Sequence, residues 1–149
     1  MKLKITILLS SILLFTSCAL KPITSDYTFI KTDLDKVDFE KLGNGTVLLY
    51  NGADIFNKID NTARLNIWID NKPLGQLRPN EYVIINLKKG KYRFKVLHLD
   101  LVKMTSEHSV TIDNMTKIIK IKPTLTSNSL SITNIVPSNF NKMKPAQKR

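Results

Sequence analysis

The sequence predicts an all-β fold, a small antiparallel β-sandwich, and three observations point to it. Short apolar or alternating runs recur from Thr46 to Ile132. Asn, Asp, Gly and Pro separate them at the spacing that turns between short strands require. Between these runs no stretch carries the 3.6-residue apolar period of a core helix. With 149 residues, five Gly and six Pro, the chain is no low-complexity segment and is long enough for one packed core.

The strands can be taken in order. Thr46 to Tyr50 is a β-branched, apolar run ended by Asn51-Gly52. Arg64 to Asp70 alternates strictly, which puts Leu65, Ile67 and Ile69 on one face and Asn66, Trp68 and Asp70 on the other. Asp70-Asn71-Lys72-Pro73 supplies turn residues, and Leu74 to Leu77 gives a short return strand. Pro79-Asn80 turns the chain into Tyr82 to Leu87, apolar on both faces and therefore a candidate central strand. After Lys88-Lys89-Gly90, Tyr92, Phe94 and Val96 point one way while Lys91, Arg93 and Lys95 point the other. Glu107 to Ile112 and Lys117 to Lys122 are expected to form a hairpin about Asp113-Asn114, and Leu130 and Ile132 to face inward from a last strand.

Ahead of the sandwich, Ala19 to Lys31 has no clear periodicity and is expected to be a tether. A short helix is expected over Asp33 to Leu42: Thr32 and Asp35 have capping-box spacing, and Gly43 supplies a C-terminal stop. The acids Asp33, Asp35, Asp38 and Glu40 lack the spacing and turn glycine of a calcium loop. The resulting organisation is a leader over 1–17, a tether with the short helix over 18–43, the sandwich over 44–136 and a basic, disordered tail over 137–149.

The leader is the strongest local signal. Lys2 and Lys4 precede the apolar run Ile5 to Phe15, followed by Thr16, Ser17 and Cys18, the chain's single cysteine. A basic start, an apolar core too short to span a bilayer and small residues at a cut site describe a secretory signal peptide. Phe15-Thr16-Ser17-Cys18 resembles a bacterial lipobox, with Phe15 in place of the usual Leu. The resemblance implies that Cys18 is lipidated and opens the mature chain. Two or more acyl chains anchor stably where one does not. Ala19 at the next position resembles an outer-membrane address, with the domain facing the periplasm.

A second resemblance lies in Ile67 to Leu77, Tyr82 and Leu87-Lys88-Lys89-Gly90-Lys91-Tyr92. This stretch is similar to a domain-of-unknown-function family of bacterial lipoproteins, and PEGA-type repeats share much of the pattern. It departs from that pattern at Asn71, where a turn Gly is usual, and at Lys89, where Pro is usual. The resemblance implies a transthyretin-like or carboxypeptidase-regulatory-like sandwich over about Thr46 to Pro123. It implies no chemistry.

Catalytic motifs are missing from the sequence. It has no nucleophile elbow, no phosphate-binding P-loop, no His-Glu-x-x-His and no pair of carboxylates placed for acid–base work. No catalytic residue is assigned and an enzyme is not expected. The only histidines are His98 and His108, expected to face solvent near a hairpin end; with Asp100 they make the one conceivable metal set, and no metal site is assigned. A lone cysteine supports no disulfide framework. No cofactor is expected beyond the covalent lipid on Cys18.

Net charge is +11, and no acid follows Asp113. Lys91, Arg93 and Lys95 alternate along one strand and Lys120 and Lys122 along another; if the two strands are neighbours, they form one basic stripe suited to anionic head groups. The plain reading of the same residues is a solvated outer face. Trp68 is either a partner-contact anchor or a ring covered by the connection Asp54 to Ala63. A secreted address separates the protein from nucleic acid, so no nucleic-acid partner is expected. The expected function is a membrane-anchored envelope lipoprotein whose sandwich binds or scaffolds an envelope protein or peptidoglycan. Two alternatives stay open: a component of a multi-protein secretion or envelope machine, and a small-ligand or metal carrier using His98, Asp100 and His108.

Overall fold

The computed structural model describes residues 20–31, 37–53, 63–100 and 102–148. The leader, Cys18, the Thr32/Asp35 capping pair and most of the Asp54 to Ala63 connection lie outside the described residues. The fold is an all-β sandwich. One sheet has the order β8-β7-β1-β4-β9 and the other the order β3-β2-β5-β6. The strands are β1 Thr46–Asn51, β2 Leu65–Ile69, β3 Lys72–Leu77, β4 Glu81–Asn86, β5 Gly90–Leu99, β6 Lys103–Ile112, β7 Ile118–Pro123, β8 Asn128–Ile132 and β9 Lys144–Pro145. The four-stranded sheet is antiparallel throughout. The five-stranded sheet is mixed, because β1 runs parallel to β7 and β4 parallel to β9.

Alternation puts the core between the sheets. Val47 and Leu49 of β1, Leu65, Ile67 and Ile69 of β2, Val83 and Ile85 of β4, Phe94 and Val96 of β5, and Ile119 and Ile121 of β7 are buried together. Each such side chain contributes about 1.5–3 kcal/mol on leaving water. The central position expected for β4 is observed. Its other face, with Tyr82 and Ile84, joins Leu48 and Tyr50 in a second cluster under Phe39, Leu42, Phe140 and Met143. Two covered faces explain why β1 and β4 read as continuous apolar runs.

Turn chemistry accounts for the connections. Ile69 pairs with Lys72, so Asp70 and Asn71 alone form the hairpin turn, and Lys72 and Pro73 already belong to β3. Both turn residues have positive φ, 49° and 64°, as a type I′ turn requires. A bulge follows: Trp68 pairs with Pro73 but Ile67 pairs with Gly75, leaving Leu74 as the extra residue. This is how Leu74 and Leu77, three positions apart, both reach the core. At Arg78-Pro79-Asn80-Glu81 the Glu81 N–H donates to the Arg78 carbonyl, and Asn80 has φ 60°, the geometry of a type II turn with Pro leading.

The expected hairpin about Asp113-Asn114 is not formed. β6 pairs with β5 in one sheet, whereas β7 pairs with β1 and β8 in the other. The turn itself is real: Asp113 Oδ1 accepts from the Met115 N–H and the Thr116 hydroxyl, but the chain leaves it for the opposite sheet. Ile132, expected to face inward, is 41% exposed because β8 is an edge strand, while Leu130 packs against the core. Of the helix expected over Asp33 to Leu42, the described part is one 3-10 turn, Phe39–Lys41, capped by the Asp38 carboxylate on the Glu40 N–H. The Lys41 ammonium then holds that exposed carboxyl below the usual range.

Neither flanking segment behaves as expected. The tail over 137–148 is docked, not disordered: Phe140 packs edge-on against Phe39 with centroids 4.9 Å apart, and Met143 is buried. Beyond them β9 adds to β4 through the Lys144 and Ala146 N–H groups. The segment Leu20 to Lys31 is likewise a docked strap, not a free tether. It starts on the outside of β2–β3, where Asp26 N–H donates to the Pro73 carbonyl on the edge strand. Farther on, the Ile30 N–H donates to the Ile84 carbonyl of the other sheet, so the strap closes that side of the sandwich. Tyr27 and Phe29 fill the gap between the sheets. Burial, with the Asp70 charge next in size, pushes the Tyr27 phenol up.

Candidate functional site

The outer face of the β3-β2-β5-β6 sheet is built from positions that alternate with the core. On β2 these are Asn66 and Trp68, on β5 Lys91, Arg93, Lys95 and Leu97, and on β6 Lys103, Thr105, Glu107, Ser109 and Thr111. Register brings Trp68, Lys95 and Glu107 into one row across three strands. The Lys95 ammonium stands over the Trp68 ring at 5.5 Å from its centroid. Such a contact is worth about 0.5–1 kcal/mol at an exposed site. Trp68 is half-buried there. The connection Asp54 to Ala63, the other cover considered for it, falls mostly outside the described residues. Arg93 is fixed from the turn: its N–H donates to Asp70 Oδ1 at 2.8 Å, and its guanidinium reaches Asn71 Oδ1 at 3.5 Å.

The strap begins on this same face. The side chains of Asn66 and Gln76, opposite each other across β2–β3, are nearly inaccessible because the strap lies on them. Asn66 Nδ2 donates to the Lys21 carbonyl at 2.8 Å, and Gln76 Nε2 donates to the Leu20 carbonyl at 3.0 Å and to Asn66 Oδ1 at 3.1 Å. Gly75, with φ 117°, leaves room beside Ser25 and the Ile23 carbonyl. Sequence reasoning missed this pair, because a turn over Asp70-Asn71-Lys72-Pro73 would set Asn66 against Leu77. The one available signal was two amide side chains at outward positions of neighbouring strands.

The single basic stripe is not formed. Lys91, Arg93 and Lys95 lie on the outside of one sheet, and Lys120 and Lys122 on the outside of the other, paired with Ser131 and Ser129 of β8. Lys120 packs over Gly52 and lines a groove of about 690 Å³ with Tyr50, Ile135, Asn139 and Met143. Burial pushes the Tyr50 phenol up.

Nor do the histidines sit as expected. His98 is 3% exposed, on the inward face of β5 beyond Val96. Asn128, at the start of β8, donates from Nδ2 to the Val96 carbonyl at 3.2 Å and to the Met104 carbonyl at 3.3 Å. That amide orientation leaves Oδ1 toward the ring at 2.8 Å, so His98 Nδ1 is the donor. Asn128 thereby clips the five-stranded sheet to the β5–β6 hairpin. His108 is half-buried, with Nε2 at 2.9 Å from the Ser106 hydroxyl, and burial pulls its pKa down. Asp100 is exposed at the end of β5. Among the described residues no three His, Cys, Asp or Glu side chains converge as a metal donor set. Among the same residues no helix is long and apolar enough to cross a membrane.

No family model, curated protein or solved structure matches the chain.

Proposed function

We propose that this protein is a lipid-anchored component of a bacterial cell envelope, held through Cys18, whose sandwich serves as a non-catalytic binding or scaffolding module. The observation that carries the reading is Phe15-Thr16-Ser17-Cys18 at the end of the apolar leader, with the only thiol of the chain at the cut. Small side chains before the cysteine suit a peptidase that cleaves there. The acyl chains then supply the membrane attachment. The fold is compatible with a passive module: its charged side chains are spread over two outer faces, and its buried polar groups tie elements together. Ala19 favours the outer membrane, with the domain in the periplasm. A sandwich of the transthyretin-like or PEGA-like type agrees with the turn pattern about Asp70-Asn71 and Lys89-Gly90.

The test is intact mass of the membrane-extracted protein together with a Cys18→Ser variant. The expected mass is that of a chain starting at Cys18 plus acyl chains, and the variant should leave the detergent phase. An unmodified thiol, or a variant as detergent-dependent as the parent, refutes the reading.

A further inference from the structure

We infer that the outer face of the β3-β2-β5-β6 sheet lies on the bilayer, with Lys91, Arg93 and Lys95 against anionic lipid head groups. The opposite face, with the Lys120 groove, then points away from the membrane. This rests on lipidation of Cys18 and goes beyond it, because an anchor alone fixes no orientation.

The strap supplies the first observation. If Leu20 began a free tether, the lipid would hold the domain at any angle. Instead the Leu20 and Lys21 carbonyls are bound by Gln76 and Asn66 on the outside of the sheet. Only Ala19 separates Leu20 from Cys18. Two residues of extended chain reach about 7 Å. The lipidated sulfur is therefore confined to the neighbourhood of this face, and the bilayer with it.

Charge supplies the second. The outward positions of the β5–β6 hairpin carry Lys91, Arg93, Lys95 and Lys103 against the single acid Glu107, with Thr105, Ser109 and Thr111 neutral between them. Lys21 adds an exposed cation at the start of the strap. Cations within a Debye length of an anionic leaflet are attracted to it. Trp68 lies amid these cations, and a half-buried indole suits the head-group level. Lys120 and Lys122 stand on the far side, so both basic sets do not reach one flat surface together.

The experiment uses the full lipidated protein in vesicles of mixed phosphatidylglycerol and phosphatidylcholine. With Cys18 acylated, an introduced cysteine is the sole free thiol. Ser109→Cys reports the proposed contact face, and Ser131→Cys the opposite one; both serines are exposed. Modification by a bulky maleimide should be at least tenfold slower at position 109 than at 131. Replacing Lys91, Arg93 and Lys95 by Gln should shrink that difference while the protein still floats with the vesicles and keeps the parent far-UV circular dichroism. Equal rates in protein that floats, or slower reaction at 131, overturn the orientation and leave the anchor standing. Protection of position 109 that survives the Gln variant in full means that the strap alone sets the orientation, and it overturns the role given to the cations. Protein that fails to float sinks the anchor reading, and the orientation falls with it.

Discussion

Asn128→Ala tests whether a single amide clips the two sheets together. The side chain is 5% exposed and makes three hydrogen bonds: to His98 Nδ1 at 2.8 Å and to the Val96 and Met104 carbonyls at 3.2 and 3.3 Å. A net hydrogen bond contributes about 1 kcal/mol, and a buried group left unpaired costs about 1–3 kcal/mol. The expected loss is about 2–3 kcal/mol. Urea unfolding of the leaderless protein, followed through the single tryptophan Trp68, should show the midpoint falling by about 1–2 M with an unchanged slope. Asn128→Asp keeps an acceptor for His98 but turns a carboxylate toward two carbonyl oxygens, so its loss at neutral pH should be at least as large. In a double-mutant cycle with His98→Ala, the coupling should be about 0.5–3 kcal/mol. An alanine variant within 0.5 kcal/mol of the parent would refute the argument, because a group already bonded to water leaves nothing to lose.

Two more predictions use the same titration. Burial holds the His108 imidazole below its ordinary 6.5, the Asn128 backbone opposing it less strongly, so the unfolded chain takes up the proton first as pH falls. Stability should decline on going down through pH 6.5 until folded His108 also protonates, and His108→Gln should flatten that limb; an unchanged slope counts against it. Asp113, lowered chiefly by the Thr116 hydroxyl, acts in a separate window below its ordinary 3.8. Phe140→Ala should cost about 2 kcal/mol, below the roughly 3–5 kcal/mol of a fully buried phenylalanine because the ring is only half-buried between Phe39 and Tyr82 at 4.9 and 5.0 Å. A loss under 0.5 kcal/mol would mean that the tail does not dock.

Strand existence was legible where alternation is strong. Leu65, Ile67 and Ile69 are fully buried, and Phe94 and Val96 sit as their spacing requires. The doubly apolar run Tyr82 to Leu87 marked a strand covered on both sides. Pairing was harder to read, since periodicity says which face a residue takes and nothing about its neighbour across the sheet. Asp113-Asn114 shows this: its side-chain hydrogen bonds make a sound turn, yet the same turn serves a hairpin or a crossing between sheets. The flanks were misread for a related reason. Tyr27, Phe29, Phe140 and Met143 are isolated apolar residues in polar surroundings, without a period, and each is held by a gap that only the assembled sandwich presents. Likewise, a turn two residues shorter than expected and an extra residue at Leu74 together set the pairing of Asn66 with Gln76. Charge alternation on β5 identified an outer face correctly, but whether β7 shared it was a question of topology.

The attachment of the strap also has a mechanical side. A pull from the N-terminal end would load the Gln76 and Asn66 bonds one after the other, as in peeling tape, before it reached any strand ladder. The stretch Leu20 to Lys31 would come away first and pay out roughly 40 Å of extended chain, at about 3.4 Å per residue. The strand ladders would survive that extension, but withdrawing Tyr27 and Phe29 would open the gap between the sheets. Relaxation would let the amides recapture the strap, which would give a retractable reach that a rigid stalk of the same length would lack.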